Sequence, residues 1–103
     1  MQRGNLGFQI LDEVIDKDQN ERPEQNQFGM NAKDLFEAVS GKYHTSIEMF
    51  CNAIKELHIA SLIDAEGKIE STNVMNGLAK VTATQNGIRK YMEVVTSAMT
   101  HIK

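Results

Sequence analysis

Apolar residues recur at helical spacing in four segments of the chain. The first stripe begins at Phe8 and Leu11, with acidic residues opposite, and predicts an amphipathic helix over residues 7–19. The last stripe begins at Ile88 and predicts a helix over residues 86–102. Between the first helix and the next stripe, a polar stretch holding the only proline predicts a loop.

The two central stripes are separated by only a few polar residues. They predict two helices within residues 31–60, joined as in a helix-turn-helix. Asn31 is a favourable N-cap for the first, and Gly41 is expected to end it. Thr45 or Ser46 is expected to cap the second helix, which carries the most regular apolar pattern of the chain.

The segment over residues 67–84 changes from helical spacing to β-branched, partly alternating runs. We expect strands at about 68–74 and 78–84, joined near Asn76-Gly77, because Asn-Gly is a strong hairpin signal. The predicted fold class is therefore α+β, mostly α, in a single domain over residues 1–103.

This order of elements resembles a winged-helix DNA-binding domain with flanking N- and C-terminal helices. "NAKDLFEAVSGKYHTSIEMFCNAIKELHIASLIDAEGK" resembles the helix-turn-helix of bacterial regulators, and "AKVTATQNGIRKYMEVV" resembles the way such domains finish. The resemblance covers residues 30–95. One departure is Ser61, which stands where these domains usually have glycine before the final Leu-Ile. The resemblance implies binding to double-stranded DNA.

In such domains the turn and the start of the second central helix face the DNA, and the hairpin forms a wing beside it. Phosphate contact is expected from lysine and hydroxyl groups, and base contact from Met49 or Asn52. The residues expected at DNA are Lys42, Tyr43, His44, Thr45, Ser46, Met49 and Asn52 in the helix-turn-helix, and Lys68, Asn76 and Lys80 in the wing.

Several of these residues also have a purely structural explanation. Ser46 suits a helix N-cap whatever the function, Met49 suits a buried contact, and Asn76 suits the turn itself. Arg89 and Lys90 suit either the DNA backbone or a solvated helix face. Both interpretations stay open at this point.

Charge is unfavourable for DNA, since the net charge is −3. Residues 1–51 carry −4 and residues 52–103 carry +1, so an anionic partner should meet the second half or the turn before it. With few cations, affinity must come from several subunits. We therefore expect a homodimer formed by the first and last helices, although the last stripe also suits packing within one chain. The expected interface residues are Phe8, Leu11, Tyr91, Val95 and Met99.

Other chemistry is sparse. Cys51, the only cysteine, lies in an apolar stripe and is expected to be a buried thiol. The histidines lack metal-ligand spacing, and no phosphate loop, nucleophile elbow or acid–base pair is present. We expect no enzyme activity, no metal and no cofactor. No membrane span or signal peptide is expected, so a cytoplasmic location is the default.

The sequence thus favours a small bacterial, phage or plasmid-borne DNA-binding homodimer. Such a protein would be a transcriptional repressor or a centromere-binding protein for plasmid partition, like the TubR-type adaptors that couple DNA to a filament-forming partner. The alternative is a winged-helix module that binds protein and not DNA.

Overall fold

The computed structural model describes residues 5–16 and 30–100, with side chains as far as residue 97. These residues form helices and strands in the order α1 (Leu6–Val14), β1 (Met30–Asn31), α2 (Ala32–Tyr43), α3 (Ile47–Ile59), β2 (Ile63–Glu66), α4 (Ser71–Met75), β3 (Lys80–Ala83) and α5 (Gln85–Thr100). The described part of the chain is therefore mostly helical with one small sheet, which confirms the predicted α+β class. Residues 17–19 of the first predicted helix and 101–102 of the last lie outside the described residues.

The central helices follow the predicted pattern at their starts. The Asn31 side chain caps α2 by accepting a hydrogen bond from the Lys33 amide at 2.9 Å, as predicted. The prediction that Gly41 ends this helix is wrong, because α2 continues through it to Tyr43. The left-handed residue that ends α2 is His44, with φ of 53°.

At the end of α3, Ser61 stands at the position where winged-helix domains usually have glycine. Ser61 has a left-handed φ of 62°. Its amide donates to the His58 carbonyl at 3.0 Å, and the Leu62 amide donates to the Leu57 carbonyl at 2.9 Å. These two bonds close a helix in the Schellman motif, so Ser61 itself makes the bend into β2, in a conformation that disfavours every residue except glycine.

The three strands form an antiparallel sheet in the order β1-β3-β2. In β3, Val81 lies opposite Met30 on one side and Ala65 on the other. Alternate residues of β3 are buried, which is the pattern of a sheet with one face on the core. The sheet therefore closes one side of the helical core.

The predicted hairpin is wrong in one of its strands. Residues 71–75 form the helix α4, and β3 pairs instead with β2 at 63–66. Asn76-Gly77 ends α4: Gly77 has φ of 72°, its amide donates to the Val74 carbonyl, and the Leu78 amide donates to the Asn73 carbonyl. A Schellman helix end needs the same positive φ as a hairpin turn, and this shared requirement produced the error.

The core lies between α1, α2, α3 and the inner face of the sheet. The α4 segment packs on it from outside, because Val74 is fully buried and Ile69 is 9% exposed. Phe36 and Phe50 meet edge to face, with ring centroids 5.3 Å apart. The largest fully buried side chains are Ile10, Leu11, Val14, Leu35, Val39, Phe50, Ile54, Ile63, Val74 and Val81.

Candidate nucleic-acid interface

The turn between α2 and α3 is short and tightly bonded. The His44 amide donates to the Ser40 carbonyl at 3.0 Å, and the side chain of His44 is exposed. Ser46 caps α3, because its hydroxyl accepts a hydrogen bond from the Met49 amide at 3.2 Å. Thr45, predicted at DNA, is 9% exposed and packs inward. Of the two predicted hydroxyls, Ser46 alone is exposed at this helix start.

The outer face of α3 presents the two residues predicted to meet bases. Met49 is 57% exposed, and Asn52 is also exposed. The charges beside them are unfavourable for DNA, because two exposed carboxylates, Glu48 and Glu56, outnumber the one exposed ammonium group of α3, Lys55. The helix therefore offers an exposed N-terminus and an amide side chain, but more carboxylates than ammonium groups.

Lys42, the predicted phosphate ligand, has a partner within the chain. Its Nζ lies 3.0 Å from Oε2 of Glu13 on α1. The Glu13 side chain is 5% exposed, whereas that of Lys42 is 57% exposed. The hydrogen bond that the Lys42 ammonium donates to Glu13, together with the charge of Glu13, raises the pKa of Lys42 above the ordinary value. The ammonium is thus tied to a buried carboxylate.

The predicted wing residues lie on the connection between β2 and β3 and at its base. Lys68, Asn76 and Lys80 are all exposed. Lys80 sits opposite Glu66 in the strand pairing, so a carboxylate accompanies it on the outer face of the sheet.

The connection itself is folded against the helices. In α4, Ser71 hydrogen-bonds the buried Cys51 of α3. The Asn31 side-chain amide donates to the Gly77 carbonyl at 3.0 Å. Burial raises the pKa of the Cys51 thiol, while the Ser71 hydrogen bond opposes that rise. The prediction of a buried thiol is confirmed. The predicted strand at about 68–74 is replaced by a segment that contains α4 and is docked on α2 and α3.

A groove that the sequence did not reveal runs between the first turn of α1 and the outer face of α3. One end, of about 200 Å³, is lined by Asn5, Gly7, Ala53, Glu56, Leu57, Ala60 and Leu62. The adjoining end is lined also by Met49 and Asn52. The predicted base-contacting residues Met49 and Asn52 thus lie beside α1. The apolar pattern of the sequence does not predict that α1 lies next to them.

The predicted dimer residues are placed differently from expectation. Phe8 and Leu11 are 6% and 0% exposed, so in this conformation both side chains are buried within the same chain. Their burial follows from α5 packing on α1: Tyr91 stacks on Phe8 with ring centroids 5.3 Å apart, and its hydroxyl donates to Asp12 at 2.7 Å.

The other two predicted dimer residues lie farther along α5. Val95 is half-buried, and the side chain of Met99 lies outside the described residues. On the described part of α5, Met92 is 53% exposed. Exposed apolar side chains thus occur on α5, as they do on other described residues such as Ile59 and Leu78, whereas Phe8 and Leu11 on α1 are not among them.

Glu13, which contacts Lys42, lies in a different environment from the one that its sequence position predicts. The helical spacing predicts Glu13 on the polar face of the first helix, yet it is 4% exposed among apolar residues of α1. Periodicity carried no signal for it, because an acidic residue one position from an apolar stripe ordinarily points to solvent.

Within the described residues, no group of three or more His, Cys, Asp or Glu side chains is arranged to hold a metal ion. No helix found there has both the length and the apolar character needed to cross a bilayer. Comparison of the chain with family models, curated proteins and solved structures gives no significant match.

Proposed function

We propose that this chain is a winged helix-turn-helix domain that binds double-stranded DNA. The order α1-β1-α2-α3-β2-β3-α5, with a sheet ordered β1-β3-β2, supports this assignment. In this arrangement the short β1 joins the outer edge of the two-stranded wing, and α2 and α3 form the helix-turn-helix. The helix α4 is then an insertion in the wing.

The observation that carries the DNA-binding proposal is the exposed start of α3. Ser46 caps it, and Met49 and Asn52 project from its first turns without burial. A helix N-terminus bears partial positive charge and free amides that suit a phosphate. An asparagine on the same face suits the N6 and N7 edge of adenine, and a methionine suits a thymine methyl.

Lys68 and Lys80 are the cations that the wing adds to this surface. Because each phosphate contact contributes a modest, salt-sensitive term, we infer that two subunits bind together. The biological role that follows is a cytoplasmic repressor, or a centromere-binding protein for plasmid partition with a filament-forming partner.

A random duplex library, titrated with the protein at several salt concentrations, tests the proposal. DNA binding predicts affinity that falls steeply with salt. Asn52→Ala should reduce enrichment of preferred sequences by roughly 10-fold, the effect of about 1–3 kcal/mol for a bidentate base contact. Asn86→Ala is the matched control, since Asn86 is exposed on the first turn of α5. Absence of binding at low salt by a folded protein refutes the proposal.

The second candidate, a protein-binding winged helix, is favoured by the composition of α3. Two exposed carboxylates, Glu48 and Glu56, accompany exposed apolar side chains, with Ile59 at 84% exposure. The double substitution of both glutamates by glutamine separates the candidates. It should strengthen duplex binding if α3 meets DNA, and leave the duplex unbound if α3 serves a protein partner.

A further inference from the structure

Glu13 is a buried acid in a helix whose other buried residues are uncharged. It is 4% exposed, and its carboxylate accepts a hydrogen bond from the Lys42 ammonium at 3.0 Å. The two residues are 29 positions apart and join α1 to the last turn of α2. A carboxylate at this depth requires a countercharge, because an unpaired buried charge is strongly unfavourable.

Lys42 is also the cation nearest along the chain to the turn that precedes α3. Its side chain remains 57% exposed, so solvent and a polyanion can reach the ammonium. An ammonium group neutralised by a carboxylate at 3.0 Å has, however, little net charge to offer a phosphate. Transfer of Lys42 to DNA would also leave the Glu13 charge buried without this partner.

We propose that Glu13 is a positioning residue that withholds Lys42 from DNA, so that removal of the Glu13 charge releases Lys42 to neutralise a phosphate. The inference rests on the proposed DNA-binding function and acts through the same surface. Glu13 lies on α1 and is not itself predicted to meet DNA, so its effect is exerted entirely through Lys42, which it contacts at 3.0 Å.

The salt dependence of binding reports this directly. Each phosphate neutralised on duplex DNA releases counterions and adds about 0.9 to the slope of log affinity against log salt. An ammonium already paired with Glu13 contributes little to that slope. Glu13→Gln keeps the size of the side chain and an oxygen acceptor while removing the charge, so it frees the ammonium with least disturbance of the core.

The experiment is a double-mutant cycle measured by fluorescence anisotropy on a random duplex from 50 to 200 mM salt. Glu13→Gln should steepen the slope by about 0.9 for each subunit bound, which makes the loss of affinity over this range roughly threefold larger per subunit. The steepening should disappear when Lys42→Ala is added to Glu13→Gln. Lys42→Ala alone completes the cycle.

Glu37→Gln is the charge-matched control, because Glu37 is exposed on α2 and its loss changes net charge equally. An equal steepening in this control, an unchanged slope in Glu13→Gln, or a steepening that survives Lys42→Ala overturns the inference. If Glu13→Gln melts below the assay temperature, Glu13→Asp takes its place, because the shorter side chain moves the carboxylate away from Lys42. Glu13→Asp should steepen the salt slope by a smaller amount, and an unchanged slope in this variant also overturns the inference. Failure of every folded form to bind refutes the proposed function, whereas binding with an unchanged slope refutes only the role of Glu13.

Discussion

Replacement of Ser61 by glycine should stabilise the protein. Ser61 is exposed and has φ of 62°, a left-handed conformation that costs a residue with a Cβ about 1–2 kcal/mol. Glycine adopts it freely but loses about 0.4–1 kcal/mol more conformational entropy on folding. The difference predicts a gain of about 0.5–1 kcal/mol in the free energy of unfolding.

The surrounding hydrogen bonds should survive this change, because they use the backbone of residue 61. The Thr84 hydroxyl donates to the Ser61 carbonyl at 2.7 Å, and the Ser61 amide donates to His58. Thr84 in turn accepts a hydrogen bond from the Gly87 amide at 3.0 Å and so caps α5. The substitution thus tests backbone conformation at this corner without removing its contacts.

The assay is urea unfolding followed by circular dichroism, with a thermal melt in parallel. Ser61→Gly should raise the urea midpoint at unchanged slope and raise Tm by roughly 3–6 °C. Ser40→Gly is the matched control, since Ser40 lies inside α2, where glycine should lower stability by about 0.5–1 kcal/mol. If both substitutions lower the midpoint alike, residue 61 is not left-handed in solution and the reasoning fails.

Two further substitutions test the packing of α5. Gly87→Ala should destabilise the protein by about 1–3 kcal/mol in the same urea assay, because the added Cβ would collide with the Leu62 backbone carbonyl. Gly41→Ala is the control, since it adds a Cβ in open space at a helical position and should stabilise the protein by up to about 1 kcal/mol. Equal effects of the two substitutions on stability would contradict the close packing of Gly87 on Leu62. Tyr91→Phe removes the 2.7 Å hydrogen bond to Asp12 and should cost about 1–1.5 kcal/mol by thermal melting, while an unchanged Tm would show that this bond contributes nothing.

The helices were the predictable part of the fold, since their apolar stripes face a real core. Leu35, Val39, Ile54 and Leu57 recur at helical spacing in the two central stripes, and all four are buried. Local sequence signals were less reliable where a hairpin turn and a helix end require the same positive φ. The glycine of Asn76-Gly77 was correctly expected to need a turn, but the turn ends a five-residue helix and not a strand.

The candidate site was less predictable than the fold, because it depends on contacts between residues distant in sequence. Exposure of Met49 and Asn52 agrees with their predicted positions on the outer face of α3. The pairing of Lys42 with Glu13 spans 29 positions, and burial of an acid on α1 has no periodic signature. The burial of Phe8 likewise depends on Tyr91, which lies near the other end of the chain.

The scarcity of free cations makes the number of subunits on DNA the quantity that decides the proposed role. If Lys42 is held by Glu13, the exposed lysines that the described part of α3 and the wing supply are Lys55, Lys68 and Lys80. Each neutralised phosphate adds about 0.9 to the salt slope, so these three lysines together give a single subunit a slope of roughly 2–3. For the proposed operator or centromere repeat, we therefore expect two or more subunits to sum these contacts. The exposed part of α5, which includes Met92, is one surface with an exposed apolar side chain on which such an assembly could form.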